Sequence, residues 1–250
     1  MKNKTIKGFY LITVFSILMI SFSCYNTRET ENDHLVFRYN EHSNISTLDP
    51  AFASNPQLIW PTNQIFNSLV QLNSQLDIKP DIAKSWDYND STLTYTFKLR
   101  EDVYFHKSIV FAKNHKDSTR NVTAYDFEYS FNRLLDDKVA ARGRWVLNNV
   151  KQFYAKNDST FIIQLKKPFP AFLGLLSMRF CSVVPKEAID YYGNNFRSNP
   201  VGTGPFVMKL WEENVKLVLR KNPIYFEKDE EGKQLPYLEA IAITFLPDKQ

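Results

Sequence analysis

Leu93-Thr-Tyr-Thr-Phe-Lys-Leu99 sets the structural period of this chain. Leu93, Tyr95, Phe97 and Leu99 alternate with Thr94, Thr96 and Lys98, the period-two pattern of a strand with one buried face. Asn89-Asp-Ser91 before it is a polar turn. Downstream the period changes. Thr123-Ala-Tyr-Asp126 resembles a helix capping box with Asp in place of Glu, and Phe127, Phe131, Leu134 and Leu135 then fall on one helical face. Val150–Ala155 and Thr160–Leu165 flank Asn157-Asp158 and predict a hairpin. Phe206–Leu210 and Val215–Arg220, around Glu212-Glu213-Asn214, predict a second. Met178–Val184 reads as a buried strand holding an inert Cys181.

Upstream, Leu35–Tyr39 is β-prone and Asp49-Pro50 marks a turn. Asn55-Pro56 caps and opens a helix that Pro61 must kink or split. Pro185 and Gly193 bracket a further helix. Both hairpins are antiparallel, and no βαβ rhythm runs through the chain. The fold class is therefore α/β in the mixed α+β sense, with strand-rich lobes.

Composition narrows the function classes. The chain has 250 residues, and with 15% aromatic residues it is far from the composition of a disordered chain. Two Cys exclude a disulfide scaffold. The formal net charge is +4, but Lys2, Lys4 and Lys7 sit in the first 23 residues; without them 28 basic residues face 27 acidic ones. No basic stripe is visible in the sequence, so no nucleic-acid partner is expected.

Those three lysines precede an apolar run, Phe9–Phe22, that is shorter than the roughly 20 residues of a membrane-spanning helix and fits the core of an export signal. Ser21, Phe22 and Ser23 lead to Cys24. The pattern resembles a bacterial lipoprotein signal, which implies residues 1–23 as signal peptide, lipidation at Cys24 and residues 24–34 as a polar tether.

The chemistry-bearing motifs are missing. The sequence has no GxGxxG, no phosphate-cradling loop and no GxSxG. Its four histidines, His34, His42, His106 and His115, have no metal-ligand spacing. Carboxylates such as Asp81 and Asp87 are plentiful, and spacing selects no acid–base pair among them. No catalytic residue, metal or cofactor is assigned.

Seven segments then line up in chain order: Thr47-Leu-Asp-Pro-Ala51, Ile65–Leu72, Ile78-Lys-Pro-Asp-Ile-Ala-Lys-Ser-Trp86, Leu93–His106, Thr123–Leu134, Asn199-Pro-Val-Gly-Thr-Gly-Pro-Phe206 and Lys221-Asn-Pro-Ile-Tyr225. Together they resemble the landmarks of the extracytoplasmic solute-binding proteins of peptide-type ABC transporters, the oligopeptide- and dipeptide-binding class. His106 departs from the pattern in lacking a following Asp-Gly, and residues 107–121 read as an inserted polar loop. In physical terms Gly202 and Gly204 predict a tight turn with positive φ, and Trp86 is a core candidate.

The resemblance implies a periplasmic-binding-protein-like lobe, with residues 35–75 and 195–250 forming the main lobe and 76–194 an inserted subdomain. A second lobe would follow in sequence, so the chain is expected to be the first part of a longer protein. The implied function is non-enzymatic: capture of a peptide and delivery to an ABC transporter permease, from the periplasmic or cell-surface face of a bacterial membrane. The loop after the Leu-Asp-Pro turn implies ligand contacts at Phe52, Ala53, Ser54 and Asn55. The segment after the Thr123 helix implies contacts at Arg142, Arg144 and Trp145, where a guanidinium meets a carboxylate and an aromatic face covers a side chain. The alternatives are the same fold holding a metal chelate, haem or oligosaccharide, a lipid-anchored hydrolase, or a surface adhesin.

Overall fold

The computed structural model describes residues 35–113 and 116–246. Cys24, with the signal and tether, lies outside the described residues. In chain order the strands are β1 (Val36–Glu41), β2 (Val70–Leu72), β3 (Ile78–Pro80), β4 (Ala83–Asn89), β5 (Thr94–Leu99), β6 (Val150–Asn157), β7 (Thr160–Leu165), β8 (Phe206–Glu212), β9 (Lys216–Lys221) and β10 (Ala240–Phe245). The helices are α1 (Pro56–Ile65), α2 (Ile109–Ala112), α3 (Ala124–Leu135), α4 (Phe172–Leu176) and α5 (Lys186–Tyr192).

Two four-stranded sheets carry the architecture. One has the order β1-β10-β9-β8 and so joins the two ends of the described chain. β1 pairs parallel to β10, Val36 opposite Ala240, while β10, β9 and β8 are antiparallel. The other has the order β4-β5-β7-β6 and is wholly antiparallel. In β5 the alternation of Leu93–Leu99 becomes burial of Tyr95, Phe97 and Leu99. Their faces meet α3, where the Phe131 ring stands edge-on to Phe161 of β7 at 5.4 Å, a favoured aromatic geometry. Both expected hairpins form, as β6–β7 and β8–β9.

Local chemistry explains the helix ends. The Thr123 backbone N–H donates to Asp126 Oδ2 at 2.8 Å, closing the capping box with the shorter acid. Phe127, Phe131 and Leu134 are buried as the helical spacing requires, but Leu135 is exposed at the helix end. Pro61 neither splits nor ends α1, which runs continuously through it. Thr62 Oγ1 donates to the carbonyl of Leu58, so a side chain adds bonding within the turn the proline weakens.

Three other expectations change. Met178–Val184 is not a strand: Arg179–Cys181 form a 3-10 turn within extended backbone, and a short apolar run cannot by itself distinguish these cases. Cys181 is nevertheless buried, and desolvation pushes its thiol up to about 12. The 107–121 segment is not simply a polar loop, because Phe111 of α2 is buried against Phe105. Trp86 is only half-buried, packed against the core from β4.

The Gly202-Thr-Gly204 loop is the fourth. Neither glycine has positive φ. Glycine is needed there for close approach: a Cβ on Gly202 would stand 2.0 Å from the Ile65 carbonyl oxygen, and one on Gly204 2.5 Å from the Ile65 carbonyl carbon. Gly204 N–H donates to that same carbonyl at 2.8 Å. The loop is thereby locked onto the end of α1, next to the segment that builds the candidate site.

Candidate ligand cleft

The loop between β1 and α1 is rigid because its polar groups are used locally. Asp49 Oδ1 accepts from Ala51 N–H at 3.1 Å and caps the 3-10 turn Pro50–Phe52. Asn55 Oδ1 accepts from Leu58 N–H at 3.1 Å and caps α1. Asp49 is further gripped by Arg133 of α3, whose Nη1 lies 3.0 Å from Oδ1. Phe52–Asn55 is therefore a preformed ridge between two cavities.

The first cavity, about 470 Å³, is bordered by Ala53, Asn67, Asp81, Arg179, Phe180, Tyr225 and Glu227. Its floor is a polar network. Asn67 Nδ2 donates to Asp81 Oδ1 at 2.9 Å, and Ser68 N–H donates to Asp81 Oδ2 at 2.9 Å. Thr203 Oγ1 donates to Asn67 Oδ1 at 3.0 Å, tying the glycine loop to the floor. Burial pushes the Asp81 carboxyl up to about 7, against the opposing pull of Arg179 and of its two donors. Arg179 donates to the carbonyls of Phe66 and Ser177 at 2.8 and 3.0 Å. Tyr225 donates to Glu227 Oε2 at 2.9 Å, and burial first, then Glu227, raise its phenol above the ordinary value. Charge of both signs and several amide groups thus face one concavity, the composition of a site that orients a polar ligand.

The second cavity, about 570 Å³, lies on the other side of the ridge and is bordered by Phe52, Asn55, Arg133, Lys138, Arg142 and Arg197, among others.

The residues expected to contact ligand divide between these places. Ala53 is buried at the first cavity, while Phe52, half-buried, and Asn55, exposed, border the second. Ser54 and Arg142, both exposed, are brought together: Arg142 Nη1 donates to Ser54 Oγ at 3.0 Å. Arg142 also borders the second cavity. Arg144 and Trp145 are exposed and border neither cavity, and Arg144 pairs with Asp137. Their neighbour Gly143 packs so closely on Phe180 of the first cavity that a Cβ would stand 2.3 Å from its Cγ. Asn67, Asp81, Arg179, Tyr225 and Glu227 escaped the sequence reading. Asn67, Asp81 and Tyr225 nevertheless lie within the Ile65–Leu72, Ile78–Trp86 and Lys221–Tyr225 motifs.

Among the described residues no cluster of three or more His, Cys, Asp or Glu is placed to hold a metal ion. His106, buried, accepts at Nδ1 from Gly202 N–H at 3.4 Å and contacts the Gly204 carbonyl through Nε2 at 3.0 Å. Its role is to hold the loop.

Comparison with known proteins now assigns the family. Residues 77–250 match the model described as bacterial extracellular solute-binding proteins, family 5 middle. A probable di/tripeptide-binding protein 5 of Pseudomonas aeruginosa is 29% identical over 201 residues, covering 74% of this chain and 36% of that protein. The glutathione-binding protein GsiB of Escherichia coli K12 is 27% identical over 199 residues, covering 80% and 36%. The chain thus spans little more than a third of these curated relatives.

Among solved structures, the periplasmic binding protein DppA of Helicobacter pylori, in complex with the peptide STSA, superposes with a TM-score of 0.74 at 30% identity, covering 85% of this chain and 43% of that one. MoaA of A. tumefaciens R10, in complex with mannopinic acid, superposes at 0.71 with 29% identity, covering 85% and 41%. Those neighbours carry the periplasmic-binding-protein fold, and the mixed α/β architecture described above matches part of it. The chain belongs to the bacterial extracellular solute-binding proteins of family 5.

Proposed function

We propose that this chain supplies one wall of an extracytoplasmic peptide receptor that delivers its ligand to an ABC transporter permease, without making or breaking a covalent bond. The observation that carries the reading is the Ala53 cleft: a preformed ridge, capped at Asp49 and Asn55, stands over a polar floor in a chain of this family. Ala53 and Phe180 form its apolar side, together with Arg179 and Asp81, and Ser54 follows Ala53 on the ridge. Arg144 is the weakest of the candidate contacts, because its guanidinium already faces Asp137. An extended peptide is held in such a groove by main-chain hydrogen bonds, with pockets for side chains. In this division the β1-β10-β9-β8 sheet belongs to a main lobe of residues 35–75 and 195–250, and the β4-β5-β7-β6 sheet to the inserted subdomain 76–194.

A second reading keeps the fold and changes the solute. It is favoured by the near-equal likeness to DppA and MoaA, whose ligands are a peptide and mannopinic acid. Calorimetric titration of the full chain with dipeptides, tripeptides and mannopinic acid separates the two. Saturable heat with peptides alone supports peptide capture; heat with mannopinic acid alone replaces it by the second reading.

The anchor is proposed at Cys24, with residues 1–23 removed. Intact-mass measurement on the membrane fraction should then find a chain beginning at an acylated Cys24. Membrane association that survives Cys24→Ser would contradict it.

A further inference from the structure

The second cavity gathers cations that are scattered along the sequence. Arg133 comes from α3, Lys138 and Arg142 from the segment after it, and Arg197 from the 3-10 turn that follows α5. One carboxylate, Asp49, borders the same space, and Arg133 is already bonded to it at 3.0 Å. Arg197 is matched by Glu213 at 2.8 Å. Among the described residues, no carboxylate lies within ion-pair distance of Lys138 Nζ or of the Arg142 guanidinium. Arg142 bonds only to the neutral Ser54 hydroxyl. Asn55 uses Oδ1 for its helix cap and leaves its amide N–H groups as further donors. The cavity is therefore rich in cationic donors, has Asp49 as its one bordering carboxylate, and holds two positive charges without an ion-pair partner.

Apart from these charged groups, the border combines an apolar part, Phe52, Leu58, Val139 and Ile189, with neutral polar Ser46, Thr47 and Asn194. A volume of about 570 Å³ lies within the range of small-molecule sites. A bare inorganic ion would leave most of it unfilled, whereas a carboxylate or phosphate head on an apolar body would satisfy both parts of the border. We infer that this cavity is a binding site for a small organic anion, distinct from the Ala53 cleft on the opposite side of the Phe52–Asn55 ridge. The inference goes beyond peptide capture and does not rest on it.

The test titrates the full chain with phenyl phosphate, phenylacetate and inorganic phosphate at low salt. Saturable binding of phenyl phosphate or phenylacetate, tighter than that of inorganic phosphate, is expected, and the two organic probes show which head group is preferred. Loss of one charge-assisted contact should weaken binding by about tenfold or more, so Lys138→Gln and Arg142→Gln should each do so. Both side chains are exposed, and circular dichroism of the variants confirms that they fold. Lys151→Gln, an exposed charge on β6, should leave the affinity unchanged. No saturable binding of either organic probe, or equal affinity in the Lys138→Gln/Arg142→Gln double variant, would overturn the site. A parallel peptide titration keeps the two ideas apart: failure of peptide binding with anion binding intact removes the transport reading and supports this site.

Discussion

Arg133 closes on Asp49 across 84 residues of sequence, Nη1 3.0 Å from Oδ1, with both side chains nearly inaccessible to solvent. One carboxylate thereby caps the Pro50–Phe52 turn and fastens α3 to the Phe52–Asn55 ridge. Removing one partner of such a pair strands a buried charge, at a cost of about 3–5 kcal/mol. Asp49→Asn keeps a capping oxygen and loses the charge, so urea unfolding of the full chain should show destabilisation of about 3 kcal/mol or more. Asp49→Ala also loses the cap and should fall by about a further 1 kcal/mol. An unchanged unfolding midpoint in Asp49→Asn would show that the pair contributes nothing to the ridge.

His106 and Asp81 should give stability opposite dependences on pH. Burial pushes His106 down to about 4 from 6.5. The neutral ring's contribution is therefore complete above pH 6.5 and is lost as pH falls through 4, by up to about 3 kcal/mol. Asp81 is pushed up to about 7 from 3.8, again chiefly by burial. Its contribution is complete below pH 3.8 and is lost as pH rises through 7. The slopes oppose one another through the weakly acidic range. Denaturation across that range should show Asp81→Asn gaining stability as pH rises and His106→Gln losing it. Two variants with the wild-type profile would mean that neither group titrates differently on folding.

Gly202 and Gly174 should respond to alanine in opposite directions. At Gly202 the added Cβ meets the Ile65 carbonyl at 2.0 Å, a backbone atom that cannot give way without moving the end of α1. Overpacking of this kind costs about 3 kcal/mol or more. At Gly174, inside α4, nothing lies within 4 Å of the added atom, and alanine should stabilise by about 0.5–1 kcal/mol. Thermal unfolding of the two single variants checks both signs.

Cys181 should resist alkylation in the folded chain. Its thiol is buried and pushed up to about 12 by desolvation, so little thiolate exists at neutral pH. Peptide mapping after iodoacetamide treatment should find Cys181 unmodified in buffer and modified in urea. Rapid modification in buffer would contradict the packing of the 178–184 segment.

What was legible in the sequence was local. The alternation of Leu93–Leu99, the Asn157-Asp158 turn and the Thr123–Asp126 cap depend on neighbours within a few residues, and each reappears in the structure. The turn at Asp49-Pro50 and the helix start at Asn55-Pro56 were legible for the same reason, since each is capped within its own segment; the expectation that the loop between them contacts ligand came from the family resemblance. The floor of the cleft was not legible. Asp81, Arg179 and Tyr225 acquire meaning only when the junction between β3 and β4, the 177–181 segment and the stretch after β9 converge, and no periodicity encodes that convergence. The glycine loop shows the same limit. A turn was expected from its composition, but the requirement for glycine comes from Ile65, well over a hundred residues earlier. Arg142 was expected as a ligand contact only through the family resemblance, and nothing local in the sequence links it with Lys138, which folding sets on the border of the same cavity.

Peptide capture at the Ala53 ridge is tested most directly by amide chemical shifts. The isotope-labelled full chain is titrated with a tripeptide while the backbone resonances are followed. Saturable shifts concentrated at Ala53, Ser54, Arg179 and Phe180, with a Kd at or below about 1 mM, are the predicted result. Absence of saturable shifts, or saturable shifts confined to residues away from the ridge and the Asp81 floor, would contradict it.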